Sequence, residues 1–363
     1  MTALVSKIRM EVEKNGTLSF ARFMELALYD PDGGYYEQSR PIGRDGDFFT
    51  SVSVGSLFGE LLAHQFADWF AAAATSSKKF QIIEAGAHDG RLAADILSWF
   101  KTHRPHFFGR LQYCILEPSV HRQSWQKKNV SEFQNIFWAK DFANLLEGKA
   151  DVYRIIFSNE LFDAMPVRRL GWDAKTKSWF EWGVSWEADR FIWKRLLENE
   201  HSPVPYPQLP CELLAVLPDG FIIETCPAAS AWWTAAASIL DTGKLIAIDY
   251  GLAAEEFLTP ERSNGTARAY FKHHSNLDLL AQPGEQDITS HVDFSALLKA
   301  GESAGLKTDA FISQAKFLTG IAGRFLFDSK SERIWDEKKR KQFQTLTHPE
   351  HFGRSFRVLM QSR

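Results

Sequence analysis

Residues 81–91 read QIIEAGAHDGR, and this stretch constrains the fold more than any other. Phe80, Ile82 and Ile83 make a short apolar run of the kind buried in a parallel sheet, and Glu84 ends it. A turn follows in which Gly86 and Gly90 flank Ala87, His88 and Asp89, and RLAADILSWFKTH then places Leu92, Ile96, Trp99 and Phe100 at helical spacing. Strand, acid, glycine turn and helix in that order make a βα unit of the kind that holds nucleotides and nucleosides. Glycines let the backbone approach a ligand, and the helix start offers free N–H groups and a partial positive charge. From Gly86 the string is G-A-H-D-G-R, so the dinucleotide fingerprint G-x-G-x-x-G is not met. An acid directly before the turn and a second at the end of the next strand suit adenosyl-methionine better than a pyrophosphate, because that donor has a ribose and an amino-acid tail but no phosphate. From these residues alone, a packing turn without a ligand reads equally well.

The βα alternation continues downstream. LQYCILEPS (111–119) predicts a second strand ending in Glu117, NIFWAKDF (135–142) a third ending near Asp141, and VYRIIFSNELFDAMP (152–166) a fourth ending in Asn159-Glu160. Such alternation implies an open, mainly parallel sheet that binds ligands outside the carboxyl ends of its strands. Upstream, Leu4, Ile8 and Val12 predict a helix, and Ser19 is the N-cap of a second that ends at the turn Asp30–Gly34. SLFGELLAHQFADWFAAAA predicts a third helix, and residues 40–51 read as a polar loop.

From about 167 to 225 the pattern breaks into aromatic–polar alternation, which predicts antiparallel hairpins. Their tryptophans read as sheet packing rather than a stacking platform, and HSPVPYPQLP reads as a connector. FIIETCP and GKLIAIDYG (243–251) predict strands on either side of the helix AASAWWTAAASIL. GTARAYFKHH (265–274) and PGEQDITSHVDFSALL (283–298) read as loops that end at a helix, ISQAKFLTGIAG and SERIWDEKKRKQFQTL as helices, and FRVLMQS as a final strand.

Composition limits the function classes. With 363 residues, 45% of them hydrophobic, the chain supports a large core and more than one average domain. Basic residues number 42 against 45 acidic, which argues against a nucleic-acid footprint. Cys114, Cys211 and Cys226 show no paired metal spacing, so no metal site is expected and the thiols suit a reducing compartment. The N-terminus lacks a signal-type apolar stretch and no run of about 18 apolar residues exists, so a cytoplasmic location without membrane insertion is expected.

Several blocks together resemble the MidA (DUF185-type) family of adenosyl-methionine-dependent methyltransferases, which includes the mitochondrial complex I assembly protein-arginine methyltransferase. They are LSFARFMELALYDPDGGYY, GRDGDFFTS (43–51), LFGELLA (57–63), SNELFDAMPVRRL (158–170), IDYG (248–251), PGEQDITSHVDF (283–294), FLTGIAG and FRVLM. They span nearly the whole chain in the family's order. The resemblance implies an α/β, Rossmann-like, seven-stranded class I methyltransferase sheet with an N-terminal helical extension and an inserted antiparallel β segment. The corresponding division is 1–75 for the helical region and a donor-covering loop, 76–170 for the first half of the core, 171–225 for the insert and 226–363 for the second half. It implies S-adenosyl-L-methionine as cofactor and a protein arginine as acceptor, the partner being a respiratory or other assembly protein.

Carried over by position, Glu84, Ala85, Gly86, Ala87, His88 and Gly90 form the donor turn. Glu117 and Pro118 meet the ribose, Asp141 and Phe142 stand at the next strand end, and Asn159 completes the donor side. Asp45, Gly46, Asp47, Thr50 and Ser51 match the covering loop. The family turn usually reads E-x-G-x-G-x-G, and His88 stands where the middle glycine does; donor binding is expected to survive it. The catalytic candidates are Glu160 and Asp163, a carboxylate pair suited to orienting a guanidinium, then Asp47 and the His291-Asp293 pair. For the loop acids a capping role reads equally well. A small-molecule methyltransferase, a non-catalytic donor-binding assembly factor and a dinucleotide-dependent oxidoreductase stay open as alternatives.

Overall fold

The computed structural model describes residues 2–38, 50–74, 79–145, 151–196, 209–271, 274–276, 278–327 and 335–363. The N-terminal region holds α1 (Ala3–Asn15), β1 (Leu18–Ser19), α2 (Phe20–Tyr29) and α3 (Leu57–Ala73). Next come β2 (Lys79–Ala85), α4 (Arg91–His103), the single turn α5 (Pro105–Phe108), β3 (Leu111–Leu116), α6 (Val120–Asn129), β4 (Ile136–Ala139) and β5 (Val152–Asn159). A hairpin-rich stretch holds β6 (Arg168–Asp173), β7 (Ser178–Glu187), β8 (Arg190–Arg195), α7 (Cys211–Leu214) and β9 (Ile222–Thr225). It leads into α8 (Pro227–Ser238), β10 (Gly243–Leu252), β11 (Arg268–Phe271), β12 (His274–Asn276), β13 (Asp287–Thr289) and β14 (Val292–Asp293). The chain ends with α9 (Phe294–Ser303), β15 (Lys307–Ser313), α10 (Gln314–Phe327), α11 (Glu337–Thr347) and β16 (Phe356–Ser362).

The central sheet runs β15-β16-β10-β5-β2-β3-β4, and the two-residue β14 adds an eighth strand beside β10. β4, β3, β2, β5 and β10 are parallel, β16 runs antiparallel to β10, and β15, antiparallel to β16, points the same way as the parallel set. The class is therefore mixed α/β with a mostly parallel central sheet. Alternate residues of each strand feed two cores, as the period of two requires. Phe80, Ile82 and Phe157 pack under Phe66, Phe70 and Phe100 of α3 and α4, and Ile83, Ile156 and Leu245 pack under Trp233 and Leu297 of α8 and α9.

A second, antiparallel sheet runs β1-β7-β6-β9, with β8 on the far side of β7. Leu18 of β1 pairs with Val184 of β7, and Ile8, Val12, Phe20 and Phe23 join Val184 in one apolar cluster. The N-terminal helices and the hairpins thus share a core. The tryptophans of the hairpins pack against one another: the Trp172 and Trp179 rings lie 5.2 Å apart, edge to face.

Two readings from sequence need correction. The stretches 265–274 and 283–298 are not loops throughout, because β12-β11-β13 form a three-stranded antiparallel sheet before α9 begins. Its strands have three or four residues, too few to display alternation, and their pairing (Ala269 with Ile288) joins distant sequence. β15 is likewise not legible as a strand, since KTDAFIS has a weak apolar pattern and pairs only at the sheet edge. The loop 39–49 and most of the proline-rich connector lie outside the described residues.

Candidate active site

The chain steps from β2 outward to β3 and β4 on one side and to β5 and β10 on the other, so a crevice opens at the carboxyl ends of the central strands. Two adjoining cavities fill it. The larger, about 740 Å³, is bordered by Gly86, Glu117, Pro118, Asp141 and Phe142. The smaller, about 310 Å³, is bordered by Glu84, Asn159, Glu160 and Asp163. Tyr36, Gly86, His88 and Glu160 border both.

The turn after β2 is held in left-handed backbone geometry. Gly86 has φ 75°, and a Cβ there would sit 3.1 Å from Leu161 Cδ1. Gly90 has φ 86° where α4 begins, and a Cβ there would crowd the α6 backbone at 3.2 Å. Both positions therefore need glycine. α6 pins the turn: Gln126 Nε2 donates to the His88 carbonyl at 3.1 Å and Asn129 Nδ2 to the Asp89 carbonyl at 2.9 Å. His88 adopts φ 43°, a conformation glycine would enter more easily, and its Nδ1 is buried without a hydrogen-bond partner, Asp89 Oδ1 standing 4.0 Å away. Glu84 is buried and accepts the Tyr113 hydroxyl at 2.7 Å. Burial pushes its carboxyl up to about 8, although the Tyr113 bond pulls the other way.

Glu117, just past β3, is buried in a dense set of donors. Its Oε1 accepts the Ser119 N–H and Arg122 Nε, both at 2.9 Å, and Arg122 Nη2 at 2.7 Å, while its Oε2 accepts Gln126 Nε2 at 3.1 Å.

At the end of β5 the backbone turns sharply, with Glu160 at φ 52°. Its N–H donates to the Ile248 carbonyl of β10 at 2.9 Å. Asp249 then clamps the turn: its Oδ2 accepts the N–H groups of Leu161 at 3.0 Å and Phe162 at 2.9 Å. Glu160 Oε1 accepts the Ser51 N–H at 3.0 Å and Asn159 Nδ2 at 2.9 Å, and its Oε2 accepts no hydrogen bond among the described residues. Burial, then the neighbouring Asp163, push Glu160 up to about 8. Burial raises Asp163 to about 6, and burial with both neighbouring carboxyls raises Asp249 well above the usual carboxylate range. Asp163 Oδ1 and Asn159 Oδ1 are buried without partners.

Most of the residues expected from sequence meet here. Ala85 borders the larger cavity, Ala87 and Thr50 the smaller, and Ser51 reaches Glu160 through its backbone. Asp47 lies outside the described residues. His291 borders neither cavity: it packs edge to face on Tyr250 at 5.5 Å, and burial lowers its pKa to about 4. Asp293 caps α9 by accepting the Ala296 N–H at 3.0 Å. Sequence reasoning missed Tyr36, Tyr250, Tyr270 and Asp287, which border the smaller cavity, and Glu37 and Arg122, which border the larger. Tyr36 donates to Asp287 at 2.8 Å, a pair 251 residues apart in sequence. Asp249-Tyr250 is visible in sequence as a strand end, and Tyr36 and Asp287 fall inside the blocks that carry the family resemblance, but nothing in the sequence brings the last two together.

The larger cavity fits an adenosyl donor: a buried carboxylate faces it, the glycine turn allows close backbone approach, and Leu116, Phe142 and Trp232 give an apolar wall. Among the described residues no group of three or more His, Cys, Asp or Glu side chains is placed to hold a metal ion, and no helix is long and apolar enough to cross a membrane.

Comparison with known proteins agrees with this geometry. Residues 61–312 match the model of an S-adenosyl-L-methionine-dependent methyltransferase family. The protein arginine methyltransferase NDUFAF7 homolog, mitochondrial, of Drosophila melanogaster is 25% identical, over 98% of this chain and 84% of its own length. Its Homo sapiens counterpart, also named mitochondrial, is 25% identical over 98% of this chain and 82% of its own length. A crystal structure from Burkholderia thailandensis, bound to S-adenosyl-homocysteine, superposes with a TM-score of 0.82 at 29% identity, covering 99% of this chain and 92% of that one. The expectation of a cytoplasmic location does not stand, because these curated relatives are mitochondrial proteins. Cysteine usage and a missing signal pattern do not distinguish reducing compartments.

Proposed function

The chain belongs to the S-adenosyl-L-methionine-dependent methyltransferase family, an enzyme family with that donor as cofactor, and we propose that it methylates the guanidinium of an arginine in a protein substrate. The observation that supports this acceptor best is the anchored Glu160: Oε1 is fixed by Ser51 and Asn159, and Oε2 is left for the smaller cavity, where Asp163, Tyr36 and Tyr250 also stand. An acidic, aromatic wall of this kind suits a planar cation. The relatives named protein arginine methyltransferases support the same acceptor.

When bound, the donor supplies an electrophilic methyl group on a sulfonium. On this reading the turn 84–90 holds its amino-acid tail, with Ala85, Ala87 and His88 in contact. Glu117 holds the ribose hydroxyls, while Pro118, Asp141 and Phe142 flank the base. Asn159, Thr50 and Ser51 close the donor side. Glu160 and Asp163 accept the acceptor's N–H groups, which orients the attacking nitrogen, and one of them takes the proton that the nitrogen loses. Asp47 is a further candidate on the covering loop. On the same reading the continuous path of the sheet is taken as the seven-stranded class I methyltransferase sheet, the chain divides at about 75, 170 and 225, and the insert between the last two is the element that recognises the partner.

The test uses radiolabelled adenosyl-methionine and a protein extract, with hydrolysis to identify the methylated residue. Label in methylarginine is expected, together with near-complete loss in Glu160→Gln at unchanged affinity for S-adenosyl-homocysteine. Glu160 acts as the carboxylate, so the wild-type rate should climb as pH rises through about 8. Label only in small molecules, or full activity in Glu160→Gln, would overturn the proposal.

A further inference from the structure

We propose that Glu37, on the segment after α2, is a positioning residue of the donor site: it takes the Arg122 guanidinium from Glu117 when a ribose diol binds there. The inference rests on Glu117 as the ribose acid, part of the function proposed above.

A carboxylate offers roughly four lone-pair sites. On Glu117 three donors crowd Oε1, the Ser119 N–H with Arg122 Nε and Nη2, while Gln126 Nε2 is alone on Oε2. A ribose diol brings two hydroxyl donors: Oε2 has room for one, and the other finds a place on Oε1 only if donors there leave. Gln126 is committed elsewhere, because its Nε2 also holds the His88 carbonyl and its Oε1 accepts Trp138 Nε1 at 2.9 Å. The Ser119 N–H is backbone at the start of α6. Arg122 supplies the remaining two bonds from a single side chain, and it is the group that can leave without opening the glycine turn.

A second carboxylate waits for it. Arg122 Nη1 lies 3.1 Å from Glu37 Oε1. Glu37 Oε2 accepts the Ser119 hydroxyl at 2.7 Å and stands 3.7 Å from His121 Nδ1, so its carboxylate is held in place. The three side chains are only 13% (Arg122), 7% (Glu37) and 3% (Glu117) exposed. A guanidinium withdrawn from Glu117 at such burial needs another anion, since an unpaired buried charge is strongly destabilising. Glu37 provides that anion at a distance of one side-chain adjustment. All three residues border the larger cavity.

Calorimetric titration of the full chain with S-adenosyl-homocysteine tests this in a double-mutant cycle. Glu37→Gln keeps the size and the Ser119 contact but removes the charge, and it should weaken binding about tenfold. In an Arg122→Gln background the same change should have almost no effect, because no guanidinium remains to be moved. Glu37→Gln binding like wild type, or an equal cost of Glu37→Gln in both backgrounds, would overturn the relay. A purely structural role would lower the melting temperature without this coupling, which overturns it equally. Glu117→Ala separates the two claims: strong loss of binding upholds the ribose acid on its own, and no loss would sink the site reading and the relay with it.

Discussion

His88 concentrates the local question of this site. It stands in the glycine turn after β2 at φ 43° and borders both cavities, with a buried Nδ1 that has no hydrogen-bond partner. A buried polar atom left unpaired costs about 1–3 kcal/mol, so a ligand polar group is its natural partner. His88→Ala keeps the same backbone demand and removes the ring nitrogen; S-adenosyl-homocysteine binding should weaken roughly tenfold by calorimetry. Equal affinity would leave the ring as a bystander in the turn. Glu84, Gly86, Glu117 and Asn159-Glu160 were legible because each closes an apolar strand, and strand ends are visible in a single sequence. Tyr36, Asp287 and Arg122 were not, because what gives them meaning is a neighbour 251 residues away, as for Tyr36 and Asp287, or a shared carboxylate on another segment.

The turn that leaves β5 depends on β10. The left-handed Glu160 backbone costs about 1–3 kcal/mol and persists only where its surroundings over-determine it. Asp249 does so by accepting two consecutive N–H groups, while the Ile248 carbonyl takes the Glu160 N–H. Both N–H groups rest on the one oxygen, which an asparagine carbonyl could imitate, so Asp249→Ala is the change that removes the clamp. Methyl transfer should fall by at least tenfold while S-adenosyl-homocysteine affinity stays within about twofold, since the proposed tail and ribose contacts follow β2 and β3. A parallel fall in both would mean that Asp249 acts through the fold alone. At this scale β2, β3, β5, β10 and β16 could be read from apolar runs, because strands buried on both faces look continuous in sequence. β11, β12, β13 and β15 escaped because short or edge strands owe their conformation to partners rather than to pattern.

Over the whole molecule, the N-terminal region and the hairpin insert behave as one satellite built on β1–β7 pairing and a common apolar cluster. That satellite brings Tyr36 and Glu37 to the crevice, while Thr50 and Ser51 approach it from the segment before α3. The parallel sheet thus supplies the glycine turn and the strand-end acids, and the added elements supply much of the wall of the smaller cavity. The absence of a G-x-G-x-x-G string counts against a dinucleotide site. The most direct check is calorimetric titration of the full wild-type chain with S-adenosyl-homocysteine, with NADH as comparator. Micromolar binding of the first at one site per chain and no binding of NADH are the expected results. No heat with S-adenosyl-homocysteine, or tight binding of NADH, would contradict a methyl-donor site at the carboxyl ends of these strands.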